Sequence, residues 1–260
     1  MKNIICTALA ATAFILSSCE GIWPNCEEGN GVIVTQMRNV SSFSGVESNG
    51  DFEVYIYPGE EAGVKVEADE NLMDLIITRV SGDELILETR HGNCINPSED
   101  IFITVTVPDL HEIDLNGSGL IWCDSLSTES FKVNLDGSGT IECIHMTIPT
   151  LDIEIDGSGR LETKGSFSIV NTVIDGSGEV ILSGTSPVAD FLINASGMIS
   201  AGSLLTDTCY AGITGSGSIY TRVKDLLDVD ISGSGNVYYY GENPVVNTHI
   251  SGSGQVIKKN

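Results

Sequence analysis

Leu135-Asp136-Gly137-Ser138-Gly139-Thr140-Ile141 and, 20 residues on, Ile155-Asp156-Gly157-Ser158-Gly159-Arg160-Leu161 are the same phrase: an aliphatic, a short polar residue, Gly-Ser-Gly, then an aliphatic two residues later. It occurs eight times, with the first glycine or its equivalent at Gly117, Gly137, Gly157, Gly176, Ala195, Gly215, Gly233 and Gly252, so the period is 18 to 20 residues. A fixed period of this length marks a solenoid. Two residues before the first glycine stand Leu115, Leu135, Ile155, Ile174, Ile193, Ile213, Ile231 and Ile250; two residues after the last stand Ile121, Ile141, Leu161, Val180, Ile199, Ile219, Val237 and Val256. Both flanks alternate with period two, so each coil reads as two short strands joined at a Gly-Ser-Gly corner. A single coil cannot bury those aliphatics, and stacking encloses them in one column. The expected fold is therefore all-β: a single-stranded parallel β-helix of about 19–20 residues per coil, right-handed by the usual crossover preference. Ordinary hairpins of a sandwich would place turns every 8 to 12 residues or so, without a persistent register.

Working outward, residues 109–260 form the regular array and residues 29–108 read as longer, irregular coils of the same β-structure. There Val46-Glu47-Ser48-Asn49-Gly50-Asp51-Phe52 imitates the corner, and Phe52–Tyr57, Val64–Ala68 and Glu84–Thr89 alternate. Asn71–Val80 reads as a short helix or an irregular excursion, and Ile101–Val107 leads straight into the array. At the far end, Lys258 and Lys259 follow the last strand and read as blunting an exposed edge, or as part of a tail.

The chain opens Met1-Lys2-Asn3 and then runs uncharged from Ile4 to Cys19, as a secretory signal does. Leu16-Ser17-Ser18-Cys19 resembles the lipobox of bacterial lipoproteins. Residues 1–18 are then a signal peptide, Cys19 is the lipid attachment point to the membrane, and residues 19–28 are a tether; cleavage nearby without lipidation is the alternative. Glu20 in place of Asp favours the outer membrane over inner-membrane retention, by resemblance to the sorting rule of enteric bacteria. The formal net charge of −24 sets the protein against nucleic acid and anionic headgroups. Beyond Cys19 an odd set of cysteines remains: Cys26, Cys94, Cys123, Cys143 and Cys209. Cys26 and Cys94 lie outside the array and are placed to pair. Cys123 and Cys143 share one column, where side chains point the same way, and are expected as two buried thiols.

Gly29-Asn30-Gly31, the segment from Phe43-Ser44-Gly45-Val46 to Phe52-Glu53-Val54, and the Asp-Gly-Ser-Gly coils resemble the family described as putative auto-transporter adhesin, head GIN domain. The resemblance runs over about residues 29–257 and implies a parallel β-helix on an exported protein; it carries no catalytic residues.

Three candidate sites follow from the columns. Asn116, Asp136, Asp156, Asp175 and Asn194 precede the corner and read as turn caps; stacked Asp side chains also suit calcium, but the period and placement are not those of a calcium roll. Three residues after the corner, Trp122, Tyr220 and Tyr238 face outward as candidate glycan contacts, with cross-coil packing as the plainer role. A polysaccharide-active enzyme is the third reading, and the scattered His111, His145 and His249 and unaligned basic residues count against it. The expectation is a non-catalytic envelope lipoprotein that binds a glycan or protein ligand as an adhesin, with no cofactor or metal. An envelope assembly component is the alternative.

Overall fold

The computed structural model describes residues 26–260; the expected signal segment and the expected lipid attachment point Cys19 lie outside the described residues. Among the described residues the fold is all-β with no helix, 70% strand, wound as a β-solenoid of about 7 turns. Both aliphatic columns stack in register as expected, residue over residue from Leu115 through Leu135, Ile155 and Ile174 to Ile250, and from Ile121 through Ile141 and Leu161 to Val256. All of these except the last coil's Ile250 and Val256 are buried. Each contributes roughly 1.5–3 kcal/mol by leaving water.

Each coil contributes a strand to each of two long faces, and in the middle coils a short third run pairs as well, Met146–Ile148 with Gly165–Phe167 and Gly184–Thr185 with Leu204–Leu205. One face runs from Ile76–Ser81 through Glu84–Thr89, Gly45–Asn49, Glu112–Gly117 and Ser130–Gly137 to Val245–Gly252. The other runs from Ile33–Arg38 through Gly63–Asp69, Phe102–Val107, Glu53–Pro58 and Leu120–Asp124 to Asn236–Tyr240 and Gln255–Lys258.

The corner holds because successive coils touch backbone to backbone. Gly137 (φ 138°) and Gly157 (φ 133°) lie in the region that L side chains avoid. A Cβ on Gly157 would stand 2.5 Å from the carbonyl oxygen of Gly137. That same oxygen accepts a hydrogen bond from the Ser158 N–H at 2.9 Å, as Gly117 O does from Ser138 at 3.0 Å. Ala195 carries its methyl because its own backbone stays out of that region.

The N-terminal part departs from the parallel pattern. Ile33–Arg38 pairs antiparallel with Gly63–Asp69, which pairs antiparallel with Phe102–Val107, and Ile76–Ser81 forms a hairpin with Glu84–Thr89 around Gly82-Asp83. The expected helix or excursion over 71–80 is instead a turn followed by the strand Ile76–Ser81. A glycine leading a two-residue connection supplies the positive φ a tight hairpin needs, and Gly82 has φ 66°. Leu72, Met73 and Leu75 in that turn are buried, and Met73 with the following Ile76 joins the continuous core.

A clasp fastens the chain's first described residues to this cap. Cys26 is disulfide-bonded to Cys94, and Glu27–Glu28 pairs with Ile95–Asn96, so the chain is held from residue 26 onward, within the segment expected as a tether. The Asp69 carboxylate, buried at 1% exposure, accepts from Gly31 N–H and Ser98 N–H, both at 2.8 Å, and from Ser98 Oγ at 2.6 Å. Asn71 accepts from Asn30 N–H at 2.9 Å and donates to Glu28 O at 2.8 Å. Gly29 admits this contact, since a Cβ there would lie 2.3 Å from Asp69 Oδ2. The Ser98 hydroxyl bond holds Asp69 below the usual carboxylate range, against the opposing cost of burial and with help from the Ser98 and Gly31 N–H groups.

Two sequence expectations are corrected. Cys123 and Cys143 form a disulfide rather than two thiols: their Cα atoms are 4.7 Å apart, inside the span that a disulfide bridges, and that proximity outweighs the parallel side-chain directions. Cys209 is the free cysteine among the described residues, and burial pushes its thiol up to about 12, which keeps it protonated and unreactive. The terminal lysines do not stand guard across the edge. Lys258 Nζ donates back to Glu242 O at 2.5 Å, and Lys259 Nζ lies 4.7 Å from the centroid of the Tyr238 ring.

Candidate ligand-contact surface

Period-two alternation that sends aliphatics inward sends the intervening residues outward, and register stacks them into columns. Tyr55, Trp122, Glu142, Glu162, Ile181, Ser200, Tyr220, Tyr238 and Ile257 form one such column. Tyr220 and Tyr238 stack with centroids 4.6 Å apart and planes 15° from parallel. Both rings are half-buried, and Lys259 covers part of Tyr238. Beside them Arg222 lies 5.2 Å from the Tyr240 centroid and donates from Nε to Gly202 O at 2.9 Å, so the guanidinium is fixed over the ring.

Trp122 belongs elsewhere. It packs against Tyr57 at 5.5 Å and Tyr55 at 6.2 Å, and Tyr55 meets Phe102 at 6.3 Å. The Tyr55 hydroxyl donates to Glu53 Oε2 at 2.8 Å, which raises the phenol above its usual range. Five coils, roughly 24 Å at strand spacing, separate Trp122 from Tyr220. The structure therefore brings Tyr220 and Tyr238 together and leaves Trp122 in a second aromatic cluster. The alternation of Tyr55 and Tyr57 was legible in the sequence, but their register against Trp122, across an insertion of unrelated strands, was not.

The pre-corner column behaves differently from the turn caps expected of it. Its hydrogen bonds run along the stack: Asn194 Nδ2 donates to Asp175 Oδ1 at 2.7 Å, and Asn116 Nδ2 to Asn49 Oδ1 at 3.0 Å. The corner N–H groups are already taken by the preceding coil's glycine carbonyls. The same motif recurs in other columns, where Asn171 donates to Asp152 at 2.7 Å and Asn134 to Asp114. An amide over a carboxylate replaces charge repulsion with a hydrogen bond, which lets an acidic chain stack in register. Burial raises Asp114 above the usual carboxylate range, and the bond from Asn134 works against that rise. Among the described residues no group of three or more His, Cys, Asp or Glu is placed to hold a metal ion.

Two histidine arrangements invite a catalytic reading. His111 stands between Asp109, with Nε2 to Oδ2 at 3.0 Å, and Thr128, with Oγ1 to Nδ1 at 2.8 Å, in an open cleft of about 580 Å³. Its side chain is 44% exposed and that of Asp109 59%, so water screens the carboxylate and polarises the imidazole little. His145 Nδ1 lies 2.7 Å from Asp124 Oδ1, and Ser125 Oγ donates to the same oxygen at 2.8 Å. The serine thus bonds the carboxylate and not the imidazole, and the two bonds together hold Asp124 below its usual range, that from His145 first. These contacts fasten Ser125 (φ 61°) and His145 (φ 55°), which turn the chain in left-handed conformation at adjacent coils.

The result is a β-solenoid with a filled core and outward-facing aromatic clusters. The chain belongs to the family described as "Putative auto-transporter adhesin, head GIN domain", whose model matches residues 42–184 and 170–243. Its fold is shared by solved structures. A putative lipid binding protein from Parabacteroides distasonis is 25% identical with a TM-score of 0.81, over 90% of this chain and 99% of that one. A putative adhesin from Parabacteroides merdae is 20% identical with a TM-score of 0.83, over 90% and 98%. A putative adhesin from Bacteroides fragilis is 20% identical with a TM-score of 0.69, over 89% and 99%. No curated protein matches the chain.

Proposed function

We propose that this protein is a non-catalytic adhesin of the cell envelope, a lipoprotein anchored at Cys19 to the outer membrane, whose distal face binds glycan chains. The observation that carries the reading is the stacked Tyr220–Tyr238 pair on an outer sheet face, with Arg222 held beside it over Tyr240. Half-buried aromatic faces cover the apolar face of a sugar ring while neighbouring polar groups meet its hydroxyls. Family membership supports an adhesin-like role, and the lipobox-like Leu16-Ser17-Ser18-Cys19 supports the anchor. Placement supports it too: the clasp at Cys26 is at one end of the solenoid and the tyrosines are near the other, so an N-terminal anchor leaves them farthest from the membrane.

The test is a glycan array probed with the wild-type protein and the double variant Tyr220→Ala/Tyr238→Ala. Glycan binding lost at least tenfold with the melting temperature kept within a few degrees supports the platform, whereas unchanged binding removes it. Protease accessibility on intact cells checks the placement, since a chain shielded from added protease cannot act as a surface adhesin. A protein cross-linked in membranes, with silence on the array, would favour the assembly-component reading.

A further inference from the structure

The last coil lacks what every other coil has. Val245–Gly252 pairs with the strand before it and Gln255–Lys258 likewise, and among the described residues neither pairs with anything on its far side. Ile250, which continues the column of Ile213 and Ile231, is 39% exposed, and Val245 is 62% exposed. Val246 and Val256 are only partly buried. The lysines that would guard the edge are turned back onto Glu242 O and Tyr238. The opposite end has bare strands of its own, Ile33–Arg38 and Ile76–Ser81, but Met73 and Ile76 there are buried in the core.

We infer that the C-terminal coil is a homophilic contact: a second copy of this chain caps it, C-terminal end to C-terminal end, across a two-fold axis perpendicular to the axis of the solenoid. It sets Val245–Gly252 antiparallel to its own copy and Gln255–Lys258 antiparallel to its own copy, so both sheets continue through the junction and the exposed aliphatics Val246, Ile250 and Val256 of one copy are covered by those of the other. An isologous contact of this kind closes on itself, whereas joining this end to Ile33–Arg38 of another copy would grow a filament. Charge permits it here and opposes it elsewhere. In a chain of net charge −24, residues 241–260 hold one acid, Glu242, against Lys258 and Lys259. Two copies so joined point their N-terminal ends in opposite directions, which is the arrangement of molecules anchored on two facing surfaces; that last point rests on the anchor proposed above. It also sets the two tyrosine pairs on one common face.

One coil per copy falls short of the roughly 20–30 residues a side of a standard complex, so the expected dimer dissociates near about 10 µM. Sedimentation velocity of the purified protein across that range is expected to show a single monomer-to-dimer step. Ile250→Lys should weaken the step at least tenfold with the melting temperature little changed. Mild oxidation should cross-link Asn247→Cys or His249→Cys as a covalent dimer and leave Asp230→Cys, one coil inside the same outward column as His249, as monomer. A protein monomeric at every concentration, an Ile250→Lys variant that dimerises as well as wild type, or cross-linking at none of the edge positions overturns the contact. Growth beyond the dimer overturns the two-fold arrangement in favour of head-to-tail stacking. Beads carrying the protein by its N-terminal end should clump, and Ile250→Lys beads should not; wild-type beads that stay dispersed while the soluble protein dimerises overturn only the facing-surface geometry.

Discussion

The two ends of this solenoid solve one problem in opposite ways. At the N-terminal end the chain reverses direction twice, lays antiparallel strands over the first parallel coils, tucks Leu72, Met73 and Leu75 beneath a turn, and locks the whole with Cys26–Cys94 and the Asp69 hub. At the C-terminal end no described strand lies beyond Val245–Gly252 and Gln255–Lys258, and Ile250 and Val245 are exposed. Repeat proteins need polar caps to stay soluble, and among the described residues only the N-terminal end carries such a cap. The array between the ends depends on identity of backbone from coil to coil, and the cap depends on particular side chains.

That contrast sets the order of mutational effects. The largest is expected in the array: Gly157→Val forces a branched side chain onto φ 133° with its Cβ 2.5 Å from a backbone oxygen that has no room to move. Strain of this kind plus the lost coil contact should cost about 4 kcal/mol or more, read as loss of cooperative urea unfolding or failure to fold. Gly63→Ala in the cap, where a Cβ meets nothing within 4 Å, is expected to change stability little. Equal effects at the two glycines would dissolve the distinction between a backbone-built array and a side-chain-built cap.

Next comes the hub. Asp69→Asn keeps the shape but removes the charge that receives three donors, and should cost about 2 kcal/mol through the weakened charge-assisted bonds. Its pH dependence has a definite sign. Asp69 is held below the ordinary carboxylate range in the folded state, so its contribution is complete above the unfolded value of about 3.9 and is lost as pH falls through that value toward the lower folded one. Hydrogen exchange of Gly31 and Ser98 amides should therefore quicken in wild type below about pH 4. In Asp69→Asn these amides should be fast already and pH-independent beyond the intrinsic rate. Retained protection in the variant would show that the disulfide alone holds the clasp.

What the sequence disclosed follows the same division. Column membership in the array was legible residue by residue because period two within a strand and a period near 19 between coils leave one register that keeps Leu115 to Ile250 on the inside. The cap had no such redundancy. Its strands pair across unequal gaps, so Gly82-Asp83 could have announced a hairpin but nothing announced that Ile33–Arg38 lies against Gly63–Asp69. The site was half legible for the same reason: Tyr220 and Tyr238 lie one repeat apart and stack as the columns require, while the partners of Trp122 come from the cap. The disulfide between Cys123 and Cys143 was misread because side-chain direction was weighed above the closeness of adjacent strands. The caps expected at Asp136, Asp156 and Asp175 were misread because the turn's own N–H groups find carbonyls in the coil below.

The smallest effect tests the open end most sharply. Ile231 and Ile250 occupy the same column one coil apart, the first fully buried and the second 39% exposed. Truncating a buried isoleucine removes its transfer energy and leaves a cavity, so Ile231→Ala should cost about 3 kcal/mol. At Ile250 part of the side chain is already in water and the site can relax outward, and Ile250→Ala in the monomer should cost about 1 kcal/mol. Measured at protein concentrations where the copies are joined, however, Ile250 becomes as enclosed as Ile231, and the two costs should converge. A difference between Ile231→Ala and Ile250→Ala that stays the same at low and high protein concentration would mean that the last coil is an end in its own right, and that its exposed isoleucine is the frayed terminus of the column rather than half of a joint.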